Sequence, residues 1–308
     1  MMGIGESEMD KLISEGLTNG RVGTLVEALP YIRRWSNKTV VVKYGGAAMK
    51  DPQLQRNVMQ DLVLLHYVGV RIVLVHGGGP KISQMMEQLG HEPRFVGGLR
   101  VTDEATMEIA QMVLVGSVGQ ELVSLLNEFG GRAVGLSGKD ARLIAASKKE
   151  CAEGDLGFVG EIESIDTHLI DVLNDAGYIV VLSPIGSGEA CESYNINADT
   201  VACAVAMQMR AEKLVVLSDV PGVMTDVNDP GSLISEMDTA HARELIEDGT
   251  VSGGMIPKVQ AAVDAIESGV NSVHMIDGRI QHSLLVELFT EGGIGTMIVA
   301  EGETDNDQ

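Results

Sequence analysis

Two lysines, each close to a pair of glycines, are the residues of this sequence whose types and spacing first suggest chemistry. Lys43 follows four successive β-branched residues and is followed by Gly45 and Gly46. A lysine at the end of a buried strand is costly unless it pairs with an acid or reaches an anion, and paired glycines bring backbone N–H groups close to a ligand. A cation beside bare amides at the carboxyl end of a strand is typical of a phosphate site.

A second glycine-rich turn, residues 77–79, also follows a buried strand and opens a helix. Pro80 suits the first helical turn, because proline gives up an N–H group that has no partner there. The amides at such a helix start attract anions, helped by the helix dipole. The pattern fits a tight strand-to-helix turn without a ligand equally well, so the sequence leaves both interpretations open.

Lys258 lies early in an apolar helix and follows Gly253 and Gly254. Most lysines on helices are solvated surface groups, but this glycine pair resembles another backbone turn close to a ligand. At the start of a different helix, Asn197 is a predicted N-cap and Asp199 is an acid in the first turn. Both could be purely structural, and Asp199 could equally hold two lysines in place.

Composition limits the functions that this chain can have. It has 308 residues, a formal net charge of −22 and 3% aromatic residues. Such acidity disfavours nucleic acid and anionic membranes as partners, and the scarcity of aromatic residues argues against a surface that stacks bases or sugars. The cysteines show no CxxC spacing, no apolar run approaches the ~20 residues of a membrane span, and the first residues lack the order of a signal peptide. We therefore expect a cytoplasmic protein with reduced thiols.

The hydrophobic pattern alternates between strands and helices from residue 39 to residue 299. Regular alternation predicts an α/β fold with a mostly parallel central sheet between two layers of helices. Antiparallel hairpins are predicted within residues 142–165 and 223–234. Before the first strand, an apolar helical pattern contains Pro30, which should kink or break the helix. The sequence has neither a Walker A loop nor the Rossmann glycine pattern.

Six stretches of the chain, in the same order, resemble the motifs of the amino-acid kinase family: residues 42–46, 75–80, 98–103, 194–199, 217–222 and 254–258. The resemblance extends from about residue 25 to residue 299 and is closest to the members that phosphorylate N-acetyl-L-glutamate. It implies a three-layer αβα sandwich with two lobes. Residues 1–36 would form an N-terminal helical extension, residues 37–196 the amino-acid-substrate lobe, and residues 197–308 the nucleotide-binding lobe.

The same resemblance implies that MgATP donates its γ-phosphoryl group to the γ-carboxylate of N-acetyl-L-glutamate, with the magnesium carried by the nucleotide and no metal site on the protein. Transfer between two anions needs positioning and charge neutralisation more than a base. Lys43 and Lys258 would stabilise the moving phosphoryl group from opposite sides, with Asp199 orienting both. The other implied contacts are Gly46 beside the lysines, Gly78, Gly79, Arg100 and Asn195 at the amino-acid substrate, and Gly45, Ser218, Asp219 and Gly222 at the nucleotide.

The N-terminal extension resembles that of the arginine-inhibited members of the family, which are hexamers built as trimers of dimers. This implies a homo-oligomer of the same kind and L-arginine as a further ligand. The implied arginine site consists of Lys213, His274, Glu287 and Gly293. Glu287 is a chemically reasonable partner for a guanidinium group, although on its own it could be an ordinary helix acid.

Two other functions remain open. A related kinase could phosphorylate acetylaminoadipate or a carrier-linked glutamate, because one extra methylene group changes binding by only about 1–3 kcal/mol. Alternatively, a non-catalytic amino-acid sensor could keep the fold without turnover. The presence of Lys43, Lys258 and Asp199 argues against the sensor. No role follows from the sequence for Cys191 or for residues 1–20.

Overall fold

The computed structural model describes residues 21–290 and 292–303 of the chain. Residues 1–20 of the predicted N-terminal extension and residues 304–308 of the predicted nucleotide-binding lobe lie outside this part. The expectations for them stay predictions, as does the lobe boundary after residue 196.

Runs of aliphatic and β-branched residues form the strands at the centre of the molecule. The strands are, in chain order, β1 (Thr39–Tyr44), β2 (Arg71–His76), β3 (Phe95–Val96), β4 (Leu99–Arg100), β5 (Ala133–Ser137), β6 (Ile144–Lys148), β7 (Gly160–Ile165), β8 (Ile179–Ser183), β9 (Ile185–Ser187), β10 (Ser193–Asn195), β11 (Lys213–Ser218), β12 (Glu236–Asp238), β13 (Ser272–Asp277) and β14 (Thr296–Val299). In β1, Val40 and Val42 belong to one hydrophobic core and Val41 to another, because side chains alternate across a strand. Both faces of the sheet are therefore buried, as the valine run predicts.

The main sheet has eight strands in the order β12-β14-β13-β11-β1-β2-β8-β5. Neighbouring strands are parallel throughout, except for the antiparallel pair β13 and β14. This confirms the predicted mostly parallel sheet. Because β1 pairs with β11, the two predicted lobes share one continuous sheet.

Helices cover both faces of this sheet. They are, in chain order, α1 (Arg21–Glu27), α2 (Leu29–Trp35), α3 (Pro52–Tyr67), α4 (Gly79–Gln88), α5 (Glu104–Gln111), α6 (Gln120–Glu128), α7 (His168–Asp175), α8 (Ala198–Met209), α9 (Thr239–Glu247), α10 (Ile256–Glu267) and α11 (Ser283–Phe289). One core contains apolar residues of α7 to α10, and the other contains those of α2 to α6 and α11. The predicted three-layer αβα sandwich is therefore confirmed.

A π-helical segment, Met112–Gly119, joins α5 to α6, so that residues 104–128 form one long helix. By length and apolar composition it is the one helix in the described part of the chain that could cross a membrane. Leu114, Leu122 and Leu126 are nevertheless buried in the second core. Packing against the sheet therefore accounts for its apolar composition.

Two smaller sheets complete the described part. Strands β10, β9, β6 and β7 form a four-stranded sheet, and β3 pairs with β4. The antiparallel pair of β6 and β7 confirms the hairpin predicted within residues 142–165. The hairpin predicted within residues 223–234 is reduced to one antiparallel bridge between Met224 and Leu233.

The N-terminal helical pattern is broken where proline predicts a break. A single residue separates α1 from α2, and Pro30 lies in the first turn of α2. Trp35, at the end of α2, is 2% exposed, and its Nε1 donates a hydrogen bond of 2.8 Å to the carbonyl oxygen of Leu288 in α11. The end of α2 therefore packs on its own chain, whereas Val26 and Leu29 remain exposed.

Candidate active site

The carboxyl ends of the parallel strands β1, β11 and β13 lie side by side. Lys43 is in register with Val216, so the turn after β1 meets the turn after β11. A Cβ atom on Gly46 would lie 3.9 Å from the backbone nitrogen of Asp219, and the φ of +66° at Gly46 favours glycine. Two of the turns that the sequence assigns to phosphate and nucleotide binding are therefore neighbours.

Lys43 pairs with Asp199. Its Nζ lies 3.1 Å from Asp199 Oδ1, and the two side chains are 12% and 31% exposed. The contact lacks hydrogen-bond angles, so it is an ion pair in which this oxygen keeps its capacity to accept a hydrogen bond. Asn197 caps α8, as predicted, and its Oδ1 accepts a hydrogen bond of 2.7 Å from the backbone nitrogen of Asp199. The carboxylate is thereby fixed in the first helical turn.

Lys258 reaches the same edge of the sheet from α10. Its Nζ donates a hydrogen bond of 3.1 Å to Ser218 Oγ, at the end of β11. In the part of the chain that the structure describes, Asp199 forms an ion pair with Lys43 and none with Lys258. The carboxylate of Asp199 thus orients Lys43 alone. Lys258 instead donates its hydrogen bond to the hydroxyl group of Ser218.

The glycine turn at residues 77–79 lies against the long helix. A Cβ atom on Gly78 would lie 2.6 Å from Cδ2 of Leu114, so a side chain there would require Leu114 to move. Helix α4 begins at Gly79 with Pro80 in its first turn, as the sequence predicts. The first N–H groups of a helix have no acceptor within it. This turn therefore offers amides to an anion.

A cavity of about 190 Å³ opens beside the glycine turn. Its walls include Gly78, Gly79, Ile82, Phe95, Arg100, Leu114, Asn195 and Ile196. The substrate-binding residues implied by the family resemblance thus lie together around one cavity of mixed polar and apolar character.

Arg100 is 9% exposed at the wall of this cavity. Its Nη2 donates hydrogen bonds of 2.8 Å to the Gly79 carbonyl oxygen and to Ser83 Oγ, and its guanidinium lies 4.8 Å from the centre of the Phe95 ring. Burial lowers the pKa of Arg100, but a guanidinium stays charged in proteins. The cavity therefore contains a fixed positive charge suited to a carboxylate.

Asn195 lies at the end of β10 and lines the same cavity. Its Nδ2 donates a hydrogen bond of 3.3 Å to Thr102 Oγ1, and the Thr102 hydroxyl donates one of 2.9 Å to the Arg100 carbonyl oxygen. This chain of contacts ties the amide of Asn195 to the backbone of Arg100.

His76 forms a hydrogen bond to the backbone of the glycine turn, a role that the sequence did not reveal. Its Nδ1 lies 2.9 Å from the Gly77 carbonyl oxygen and its Nε2 lies 3.0 Å from Ser183 Oγ. Because a carbonyl oxygen only accepts, Nδ1 is the protonated nitrogen. Burial lowers the pKa of His76 to about 4, so the ring is neutral at pH 7. The sequence places His76 directly before the glycine turn, but its contact with Ser183 joins segments far apart in the chain and has no local pattern.

The predicted nucleotide side adjoins a second cavity, of about 160 Å³. Gly222 lies in its wall, next to residues 220–224 and 250–252. A Cβ atom on Gly222 would lie 2.5 Å from Thr296 Oγ1, so glycine is required for the close approach of these segments. Ser218 is buried at the end of β11, with Asp219 directly after it. Residues 250–252 form a wall that the sequence did not predict.

The four residues of the expected arginine site also lie together. Lys213, His274, Glu287 and Gly293 line a third cavity, of about 210 Å³. His274 Nε2 lies 2.5 Å from Lys213 Nζ, and His274 Nδ1 lies 2.5 Å from Glu287 Oε1. Arg34 lines the same cavity from α2. The N-terminal extension therefore contributes to this site, which the sequence did not predict.

Charge in the third cavity is balanced by these contacts. Burial lowers the pKa of Lys213 to about 8. Burial alone would raise the pKa of Glu287, but hydrogen bonds from His274 and from the backbone nitrogen of Ile294 lower it overall. Glu287 is therefore a buried carboxylate that keeps its negative charge, as a site for a cationic ligand requires.

Residues 38–277 match the profile of the amino acid kinase family. The chain is 53% identical to the acetylglutamate kinase of Thermoanaerobacter pseudethanolicus over 277 residues, which cover 90% of this chain and 92% of that protein. Sequence similarity therefore extends well beyond the six motifs.

The fold is similar to that of N-acetylglutamate synthase from Neisseria gonorrhoeae. Its complex with coenzyme A and N-acetyl-glutamate gives a TM-score of 0.81 at 30% identity, over 91% of this chain and 64% of the synthase. Its complex with coenzyme A and L-arginine gives 0.77 at 28% identity, over 91% of this chain and 66% of the synthase. This chain thus spans slightly less than two thirds of the synthase. Since the family profile, the relatives and the fold agree, the chain belongs to the amino acid kinase family, among the acetylglutamate kinases.

Proposed function

We propose that this chain transfers the γ-phosphoryl group of ATP to the γ-carboxylate of N-acetyl-L-glutamate and forms an acyl phosphate. The observation that carries this proposal is the arrival of Lys43 and Lys258 at adjacent strand ends, next to glycine turns and a cavity with a fixed guanidinium. The relative from Thermoanaerobacter pseudethanolicus is an acetylglutamate kinase and shares 53% of the aligned residues.

Arg100 binds the α-carboxylate of the substrate in this proposal. Its two 2.8 Å hydrogen bonds fix the guanidinium plane, so little rotamer freedom is lost when a carboxylate binds. Asn195 lies in the same wall and can donate to or accept from the acetamido group. The apolar side chains of Ile82 and Leu114 then face the methylene and methyl groups of the substrate.

The glycine amides and the lysines act on the transferring group. The γ-carboxylate is already a nucleophile, so the protein has to position it and neutralise charge rather than remove a proton. Amides of Gly78 and Gly79 hold this carboxylate, and Lys43 and Lys258 stabilise the charge that develops on the phosphoryl oxygens. Asp199 keeps the ammonium group of Lys43 in place through their 3.1 Å ion pair.

ATP enters as its magnesium complex in this proposal. Ser218, Asp219 and Gly222 contact the nucleotide, with Gly45 and Gly46 near its terminal phosphates. The magnesium that the nucleotide carries would reduce the negative charge of its phosphates. Because Gly46 approaches Asp219 closely, the phosphate turn and the nucleotide turn can contact one ligand.

ADP release in a coupled assay tests the activity directly. We expect release that depends on N-acetyl-L-glutamate and is much slower with unacetylated L-glutamate or N-acetyl-L-2-aminoadipate. Hydroxylamine, which traps acyl phosphates as hydroxamates, should capture the product. Faster turnover with the aminoadipate would favour the longer substrate. Binding of N-acetyl-L-glutamate without ADP release would favour the sensor.

Feedback inhibition by L-arginine is a further part of the proposal. The third cavity combines a buried, charged Glu287 with a neutral histidine and an opening lined by α2. The synthase from Neisseria gonorrhoeae, with which the chain shares its fold, has been solved in complex with L-arginine. A guanidinium group would pair with Glu287 through two parallel hydrogen bonds.

We also propose a hexamer built as a trimer of dimers, in the cytoplasm. Val26 in α1 is 64% exposed and Leu29 in α2 is 52% exposed, and together they form an apolar surface at the N-terminal helices. Apolar patches of this kind commonly mark contacts between subunits. The cytoplasm provides ATP and keeps free thiols such as Cys151 and Cys203 reduced.

A further inference from the structure

The long helix changes its winding where it passes the glycine turn. Residues Met112–Gly119 are π-helical, whereas α5 before them and α6 after them are α-helical. A π-helical turn has five-residue spacing and re-aims the side chains that it contains, and such turns occur frequently at functional sites. Leu114 lies in this segment, is 2% exposed and lines the 190 Å³ cavity.

Leu114 occupies the space beside the glycine turn. Its Cδ2 lies 2.6 Å from the position that a Cβ atom of Gly78 would take, and its Cγ lies 3.8 Å from the same position. Among the described residues that line the cavity, Leu114 is the apolar side chain that makes this contact. It therefore forms the apolar wall next to the end of the cavity where the reacting carboxylate would bind.

The backbone of Leu114 is held by buried polar groups. Its carbonyl oxygen lies 3.3 Å from Ser183 Oγ, and Ser183 Oγ lies 3.0 Å from His76 Nε2. His76 in turn donates to the carbonyl oxygen of Gly77. Because Nε2 of the neutral ring carries no hydrogen, the single hydroxyl hydrogen of Ser183 is donated either to this nitrogen or to the Leu114 carbonyl oxygen. His76 and Ser183 thus lie between the glycine turn and the π-helical segment.

We propose that Leu114 is a specificity-determining residue. It sets the length of the carbon chain between the two carboxylates of a substrate that fits between Arg100 and the glycine turn. The inference rests on the proposed function and adds a structural reason for the choice of the substrate. Arg100 fixes one carboxylate and the amides of Gly78 fix the other. A substrate with one more methylene group between its carboxylates must therefore displace the wall that Leu114 forms.

Substitution of Leu114 by Ala tests this role. With N-acetyl-L-glutamate and N-acetyl-L-2-aminoadipate as substrates at saturating MgATP, kcat/KM is measured for both. Leu114→Ala should shift the ratio toward the longer substrate by at least about tenfold, within the range that one methylene group produces in an apolar pocket. Leu114→Val removes one carbon, keeps most of the packing, and should shift the ratio in the same direction by less.

Leu122→Ala is the matched control. Leu122 is completely buried in the same long helix but does not line the cavity. It should lower the melting temperature without changing the substrate ratio. An unchanged ratio in both Leu114 variants, or an equal shift in Leu122→Ala, would overturn the role of Leu114. Failure of the proposed function is distinguishable, because the wild-type protein would then release no ADP with N-acetyl-L-glutamate.

Discussion

Arg100 is almost completely buried, yet its guanidinium forms part of the wall of the substrate cavity. A lysine in its place would present one ammonium group and could not bond to Gly79, Ser83 and a carboxylate in the same plane. We expect Arg100→Lys to raise KM for N-acetyl-L-glutamate by on the order of tenfold, because the substrate loses one charge-assisted hydrogen bond. KM for MgATP should not change.

Steady-state kinetics with each substrate varied in turn measure this effect. Arg94→Lys is the control, because Arg94 is exposed and lies outside the described cavity wall. An unchanged KM for N-acetyl-L-glutamate in Arg100→Lys would contradict the assigned contact with the α-carboxylate.

His76 gives the active site a defined dependence of stability on pH. Burial lowers its pKa from 6.5 to about 4. Between these two pH values His76 is protonated in the unfolded chain but neutral in the folded chain. The contribution of neutral His76 to the free energy of unfolding is complete above pH 6.5 and is lost as the pH falls from 6.5 through 4. It amounts to on the order of 3 kcal/mol.

Replacement of His76 by Gln removes this proton uptake. Between pH 6.5 and 4, the melting temperature of the wild type should therefore fall more steeply than that of His76→Gln. Thermal unfolding measured across this interval gives the comparison, with exposed His91→Gln as a variant that keeps the wild-type slope. Parallel curves for His76→Gln and the wild type would show that the buried histidine is not held neutral.

Long elements follow from the sequence, whereas short ones depend on partners far along the chain. Helices α3 and α10 repeat their apolar residues over several turns, and strands β1 and β11 contain continuous aliphatic runs, so the pattern alone identifies them. Strands β3 and β4 have only two residues each. The π-helical segment forms where the carbonyl oxygen of Leu114 meets Ser183, a contact that no local pattern predicts.

The candidate site shows the same division. Lys43 stood out because a charge at the end of a buried strand is costly without a partner. The glycine turns, and Lys258 next to one of them, stood out because glycine is costly inside a strand or helix. Apolar residues of the cavity wall, such as Leu114, look like ordinary core residues in the sequence, and only the packing of distant elements brings them to the site. His76 lies next to the glycine turn in the sequence, but its contact with Ser183 also depends on that packing.

Helix α11 links the third cavity to the rest of the fold. Glu287 in this helix accepts hydrogen bonds of 2.7 Å from the backbone nitrogen of Ile294 and 3.2 Å from that of Gly295, besides its contact with His274. Substitution of Glu287 by Gln removes the negative charge but keeps the shape. We expect the concentration of L-arginine that halves the activity to rise by at least about tenfold.

Each variant is measured relative to its own rate without L-arginine, so a change in basal activity does not affect the comparison. Glu244→Gln, an exposed acid of α9, is the control and should keep the wild-type response. Equal inhibition of Glu287→Gln and the wild type would remove Glu287 from the arginine site.

In the proposed hexamer, the exposed apolar residues of α1 and α2 form the contact between dimers. Truncation of the entire extension would also remove buried Trp35 and its hydrogen bond to Leu288, so substitutions at the surface are the cleaner test. Two glutamates, in the variant Val26→Glu with Leu29→Glu, would place charges in the contact between dimers. We expect light scattering to show hexamers for the wild type and dimers for this variant, since unpaired charges are costly in an interface.

Val172→Glu is the matched control, because Val172 is 49% exposed on α7, which packs on the opposite core to α2. It should leave the mass unchanged. A hexameric mass for the variant with both N-terminal substitutions would exclude these helices from the contact between dimers.

The central claim is that two lysines from different parts of the chain stabilise one transferring phosphoryl group. The most direct test is kcat for ADP release with N-acetyl-L-glutamate in Lys43→Ala and in Lys258→Ala, beside Lys38→Ala as an exposed control. Each of the first two should lose on the order of 100-fold or more in kcat, as expected when one charge partner of a transition state is removed, and the control should not. Wild-type kcat in either Lys43→Ala or Lys258→Ala would contradict the claim.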